Sequence, residues 1–461
     1  MTDLRQHTSL SLARAMLSGS ARASGLRARI ESCLGGPAPW AEVLVQRCSR
    51  FSVDRWLRTT PESLAQIIDA DEGFDRAWAQ RLGLYVRRYF LHWPHLQRPA
   101  PCGLHQVPWP EWRHSGALAD ALRLSTGALW RLTRPAPWQR HLALAEQHYR
   151  CHMLPKRTVG WRLLEVPHPY LMALQRRLLH GLIAHLPAHE AACGYTPGRS
   201  VVDHARAHTG QAVLLKFDLQ DFFSSVRASR VHALFATIGY PEQVARELTA
   251  LCTTATPEPV LQRLHSEGGL EWTQVQRLRE PHLPQGSPTS PALANLCAFR
   301  LDLRLDGLAH ALGARYTRYA DDIVLSGSES LRVSRARIEA WVARIAHEEG
   351  FALNLRKSRC VGTADRQQVC GIVVNQHTNL PRPAFDLLKA VLHQCVRDGP
   401  HQANREQLPD WRAHLQGRLA WAEQLNPAKA QKLRRLFDQI DWGDAPCAPP
   451  VLVATHRGSV V

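Results

Sequence analysis

At 461 residues the chain is too long for one compact core and suits two or three domains, and its 45% hydrophobic content is ordinary for a globular protein. No apolar run approaches the ~20 residues needed to cross a bilayer, and the 11 Cys are odd in number and scattered without a CxxC pair, which argues against both a disulfide framework and a zinc ribbon. The 57 basic against 40 acidic side chains leave a net charge of +17, a surplus that favours a polyanionic partner because each Lys or Arg that neutralises a phosphate releases condensed counterions.

The first residues, MTDLRQHTSLSLARAML, lack the long apolar core and cleavage site of a signal peptide, so a cytoplasmic protein is expected. Up to about residue 90 apolar side chains recur at helical spacing, for example over 43–56 and 61–89. The Pro- and Trp-rich stretch 92–112 interrupts them as a linker or ordered loop, and helical spacing resumes at Ser115. His141, His148, Cys151 and His152 resemble ligand spacing, but no second cluster completes a tetrahedral site. From about Arg150 strands, turns and helices mix, which reads as α+β. Residues 212–219 form a strand-like run that enters an acidic pair, and 314–328 has two strand-like halves meeting at Ala-Asp-Asp. Helical periodicity returns over 383–396 and 411–425, and 443–461 has none and is expected to be a flexible tail.

Three carboxylates stand out by context. Asp321 and Asp322 are adjacent and flanked by β-forming residues, where a tight hairpin lifts two acids out of a sheet, and Asp218 ends an earlier apolar strand. A lone Asp-Asp is most often a solvated turn. The three together fit two-metal phosphoryl transfer, which needs hard oxygen ligands from separate strands converging on ions roughly 3.5 to 4 Å apart. Asp218 and Asp321 would then bridge, with Asp322 acting as a ligand or through the local field.

The segments KFDLQDFFSSV, LPQGSPTSPALANL and YTRYADDIVLSG, in that order, resemble the palm motifs of reverse transcriptases, and Tyr319-Ala320-Asp321-Asp322 matches their catalytic box letter for letter. KRTVGWRLLEVPHPYLMALQRRLL is similar to the fingers motif, ACGYTPGRSV to the next, and GFALNLRKSRC to the lysine-bearing motif after the box. Among these enzymes the chain most resembles the bacterial retron type. Ala205 and His208 match the signature Asn-Ala-x-x-His, with His204 in place of Asn, and VCGIVVN resembles the Val-Thr-Gly region, with Cys370 in place of Thr. A long helical amino-terminal extension is similar to that of one retron branch.

The resemblance implies an α+β right-hand polymerase: a helical extension over 1–140, fingers and palm over 141–375, a thumb over 376–442 and the tail. It implies an RNA-directed DNA polymerase that uses two Mg²⁺, or Mn²⁺ in their place, held by Asp218, Asp321 and Asp322. Lys357 would protonate the pyrophosphate, a role that needs a pKa lowered toward working pH. Lys156 and Arg162 would neutralise the triphosphate, and Gln285 and Gly286 would lie under the nucleotide. Phe223 would press on its sugar and exclude a 2′-hydroxyl, although Phe222 and Phe223 alternate and one must face inward. His208 would contact RNA, and Val369 and Gly371, in a primer grip over 369–375, would brace the primer. The expected partners are a structured noncoding RNA as template and primer, its cDNA, deoxynucleoside triphosphates, and an effector protein encoded nearby in phage defence, with no membrane. The alternatives are another bacterial defence or group II intron-like reverse transcriptase, or a nucleic-acid-binding module without catalysis.

Overall fold

The computed structural model describes residues 4–19, 21–80, 84–88, 110–134, 147–155, 161–267 and 270–443. The first layer is helical: Leu4–Leu17, Ala23–Leu34, Glu42–Ser49, Val53–Arg58, Pro61–Asp69 and Glu72–Ala79. Leu12, Met16, Leu26, Ile30, Leu44, Leu64, Ile68 and Phe74 share one core. These helices are shorter than apolar spacing alone suggests. The pattern over 43–56 breaks where the Ser52 hydroxyl accepts from Arg55 N (3.2 Å), and that over 61–89 breaks where Asp71 accepts from Phe74 N (3.1 Å). Each is a side-chain N-cap that starts a new helix, and 84–88 carry no helix.

Ser115–Leu122 and Thr126–Leu132 send Leu118, Leu122, Leu129 and Leu132 into a second, central core beside Leu171, Leu174, Phe217 and Leu248. Ser115–Leu122 also meets the first layer, where Arg58 Nη1 donates to Asp120 Oδ2 (3.1 Å).

Two strands, β1 (Tyr149–Pro155) and β2 (Trp161–Pro167), form an antiparallel hairpin. The main sheet contains β3 (Val213–Asp218), β4 (Arg315–Tyr319), β5 (Asp322–Gly327) and β6 (Arg359–Gly362) in the antiparallel order β4-β5-β3-β6. The Val-Leu-Leu-Lys-Phe run of β3 suits this place, because a strand paired on both edges and covered by helices needs apolar residues on both faces. Phe299–Ala311 and Arg335–Glu348 supply Leu301, Leu305, Ile338 and Val342 to the covering core.

A small hairpin of β7 (Gln368–Val369) and β8 (Ile372–Val373) packs Val369 and Ile372 with Ala205, Leu214, Val324 and Leu425, tying the sheet to the carboxy-terminal helices. Those helices, Arg382–Asp398, Trp411–Leu425 and Pro427–Phe437, bury Leu388, Leu392, Leu415, Leu419, Leu433 and Phe437 in a core of their own. No described helix is long and apolar enough to cross a membrane.

Candidate active site

The carboxylates are brought together by strand register. Asp218 pairs with Asp322 across β3 and β5, and Tyr319 pairs with Asp322 across β4 and β5, which leaves Ala320 and Asp321 as a two-residue loop. Ala320 adopts φ 56°, a left-handed conformation that costs a non-glycine residue roughly 1–3 kcal/mol unless its surroundings hold it. They do hold it: Arg318 Nη1 donates to the Ala320 carbonyl (2.9 Å), and Leu219 N donates to that of Asp321 (2.9 Å).

Arg318 is itself wholly buried. Its Nε and Nη2 donate to the two carboxylate oxygens of Asp302 (2.7 and 2.6 Å), Nη1 also donates to Asn295 Oδ1 (3.0 Å), and the Tyr316 hydroxyl donates to Asp302 Oδ1 (2.7 Å). Burial opposes the guanidinium charge, yet the Asp302 carboxylate wins and holds the Arg318 pKa above its ordinary value. Sequence reading missed this brace. Its signal was present in the period of β4, where Tyr316 and Arg318 occupy the inward positions and an inward arginine demands a buried acid.

Burial, then the charges of Asp218 and Asp322, push the Asp321 carboxyl up to about 6. Asp218 is raised by burial too, against the opposing pull of Lys357, whose Nζ donates to Asp218 Oδ2 (2.8 Å). On Lys357 burial acts downward, but the hydrogen bond to Asp218 and the three carboxylate charges prevail and raise its pKa. The lowered value expected of a general acid is therefore absent while this ion pair stands. The Cys370 thiol donates to Asp322 Oδ2 (3.4 Å) from the β7–β8 loop, where Cys370 (φ 44°) and Gly371 (φ 85°) are both left-handed.

By donor chemistry the site fits hard divalent cations: three oxygen-bearing side chains repel one another in a partly buried cleft. As the side chains stand, no three His, Cys, Asp or Glu among the described residues close into a ligand set, and Asp218 accepts from Lys357 while Asp322 accepts from Cys370.

Around the carboxylates, Phe222 is buried and Phe223 is half-buried against the central core. Gly286 has φ 134°, and a Cβ there would lie 2.9 Å from the Glu165 carbonyl; Glu165 N donates to the Gln285 carbonyl (2.8 Å), so this turn rests on β2. Arg162 is exposed on β2 opposite Leu154, while Lys156 lies outside the described residues, as does His141. Gly371 is exposed, but the Val369 side chain is fully buried and closed to a primer, leaving its backbone alone for that role. On the last helices Lys389, Arg412, Lys429, Lys432 and Arg435 are exposed and Arg418 half-buried, whereas Arg434 is engaged by Glu423 and Arg397 by Asp398.

His208 departs furthest from expectation. Its ring is fully buried, with Nδ1 against Ser326 Oγ (2.6 Å) and Nε2 against Thr317 Oγ1 (2.7 Å), and His204 Nδ1 meets the same Thr317 hydroxyl (2.6 Å). A direct contact of His208 with RNA is thereby corrected: the two rings pin the helix Val201–Arg206 and its end to β4 and β5, and the His204 ring lies 5.8 Å from that of Tyr319. Burial first, with nearby positive charge, lowers both rings to about 3. Since the unfolded rings titrate near 6.5, the unfolded chain binds more protons between pH 6.5 and 3, and stability must fall as pH drops through that window. Between pH 7 and 5 a loss of about 2 kcal/mol per ring is expected in urea unfolding. In His208→Gln, which keeps hydrogen-bonding groups but cannot titrate, the slope should be shallower; an unchanged slope would refute the assignment.

Residues 154–374 match the family model described as reverse transcriptase (RNA-dependent DNA polymerase). The Retron Mx65 reverse transcriptase of Myxococcus xanthus is 41% identical over 73% of this chain and 74% of its own length. The Retron Mx162 reverse transcriptase of the same organism is 35% identical over 70% of this chain and 66% of its own length, and the Retron Ec86 reverse transcriptase of Escherichia coli is 30% identical over 54% and 70%. With two matching strands and a braced Asp-Asp loop beneath these likenesses, the chain belongs to the bacterial retron-type reverse transcriptases, RNA-directed DNA polymerases with a right-hand fold.

Proposed function

We propose that Asp218, Asp321 and Asp322 hold two Mg²⁺ ions, replaceable by Mn²⁺, and that the chain extends a primer from deoxynucleoside triphosphates on a structured noncoding RNA of its own. The observation that supports the site is the register of Asp218 on β3 with Asp322 on β5 and the position of Asp321 in the loop just before β5, which favours a shared field of three hard donors. Ions held by these residues would supply activation of the primer hydroxyl and neutralisation of the triphosphate.

The chain's own residues divide the remaining tasks. Arg162 on β2, with Lys156 before it, receives the triphosphate. Gln285 and Gly286 form the floor, where the turn already rests on the Glu165 backbone. Phe223, half-buried beside the inward Phe222, faces the sugar and bars a 2′-hydroxyl. Lys357, beside Asp218, is within reach of the pyrophosphate side of the site, and the backbone of Val369 to Gly371 braces the primer. Residues 376–442 act as a thumb whose exposed basic side chains take an RNA stem by shape and phosphates.

Membership of the retron type supports synthesis from an internal guanosine 2′-hydroxyl, which leaves cDNA joined to its RNA, and a place in cytoplasmic phage defence with an effector protein encoded nearby. Sequencing the nucleic acid that copurifies with the protein tests this reading. One short structured RNA carrying linked cDNA is expected. Heterogeneous RNA without linked cDNA would overturn it in favour of another bacterial reverse transcriptase class.

A further inference from the structure

Tyr195 has no role in the site as built so far, yet its placement is heavily determined. The segment before it runs beside β4: Arg318 N donates to the Ala191 carbonyl (2.8 Å) and Cys193 N to that of Arg318 (2.8 Å). Gly194 then touches the Asp-Asp loop so closely that a Cβ would lie 2.8 Å from Ala320 N, and its carbonyl accepts from Asn295 Nδ2, the residue that also receives Arg318. The same brace that fixes Ala320 therefore fixes the backbone entering Tyr195.

Tyr195 itself adopts φ 58°, a conformation that a bulky side chain rarely takes, and the residue stays 49% exposed. A residue that serves packing has no reason to combine strain with exposure. The ring centroid lies 6.3 Å from that of Phe223 and 6.2 Å from that of Tyr319. Burial, followed by the Tyr319 hydroxyl and the Asp321 carboxylate, raises the Tyr195 pKa, which agrees with a position near the carboxylates. Phe223 and Tyr319 thus flank the half-exposed Tyr195 near Asp321, with Tyr195 on a different segment from Phe223.

We propose that Tyr195 forms a second aromatic wall for the incoming nucleotide, adjoining that of Phe223, and sets its affinity. This rests on the reading of the Phe223 site as the nucleotide pocket. The ring supplies a rigid, amphipathic surface, and the strained backbone aims it where an ordinary turn would not.

Single-turnover extension of a DNA primer on RNA, with separate titrations of nucleotide and of primer–template, tests the proposal on Tyr195→Phe, Tyr195→Gly and Phe223→Ala. Glycine tolerates the left-handed backbone without strain while it removes the side chain that carries the ring. Tyr195→Gly should weaken apparent nucleotide affinity by roughly five- to tenfold while primer–template affinity holds, and Tyr195→Phe should stay near wild type. Unchanged nucleotide affinity in Tyr195→Gly would overturn the proposal, as would a loss confined to primer–template affinity, which would assign the ring to the template strand. Phe223→Ala reports separately on the underlying reading: unaltered preference for deoxy- over ribonucleotide there would remove Phe223 from the sugar contact, whatever Tyr195→Gly does.

Discussion

Asp321→Asn and Asp218→Asn should each abolish DNA synthesis while the fold and RNA binding survive. Both substitutions keep side-chain volume and remove one of the charges that make the cleft fit for divalent cations, whereas the basic helices that would hold RNA lie elsewhere. Residues that merely support metal ligands typically cost 10–100-fold in activity, so a direct ligand should cost more than about 100-fold. Asp321 feels both other carboxylates, so Asp321→Asn also relieves repulsion, and its fold should be at least as stable as the wild type. Primer extension with Mg²⁺, beside urea unfolding and filter binding of RNA, separates these effects. Near wild-type extension by either variant would remove that residue from the site.

The second large effect concerns stability. Asp302→Ala leaves the Arg318 guanidinium buried without its carboxylate and strands the Tyr316 hydroxyl, and breaking a wholly buried pair from one side costs about 3–5 kcal/mol. Arg318→Met should fall in the same range and should also depress extension, because the Ala320 carbonyl loses its donor at the turn that carries Asp321. Replacing both partners by apolar residues should restore much of the stability but not the activity. That split distinguishes a brace from general packing. If Asp302→Ala unfolds within about 1 kcal/mol of the wild type, the pair does not hold the loop.

The parts of this fold that could be read in advance are those whose pattern is local. The apolar β3, the two halves meeting at Asp321 and the helix Trp411–Leu425 follow from periodicity, and strand register then unites Asp218 with Asp322. Helix ends were less legible at Ser52 and Asp71, where one capping hydrogen bond outweighs a continuing apolar stripe.

Motif resemblance identified His208 and Val369 but is blind to exposure: both are buried, since the helix Val201–Arg206 and the β7–β8 hairpin pack onto the sheet. The ion pair that raises the Lys357 pKa joins residues 139 positions apart, and the Cys370–Asp322 contact spans 48, separations at which no spacing rule applies.

Binding of Mn²⁺ to the purified protein with a primer–template, followed by calorimetry, tests most directly whether Asp218, Asp321 and Asp322 form one divalent-cation centre. Binding by the wild type that disappears in Asp321→Asn is expected; equal affinity and stoichiometry in the two proteins would contradict the metal assignment.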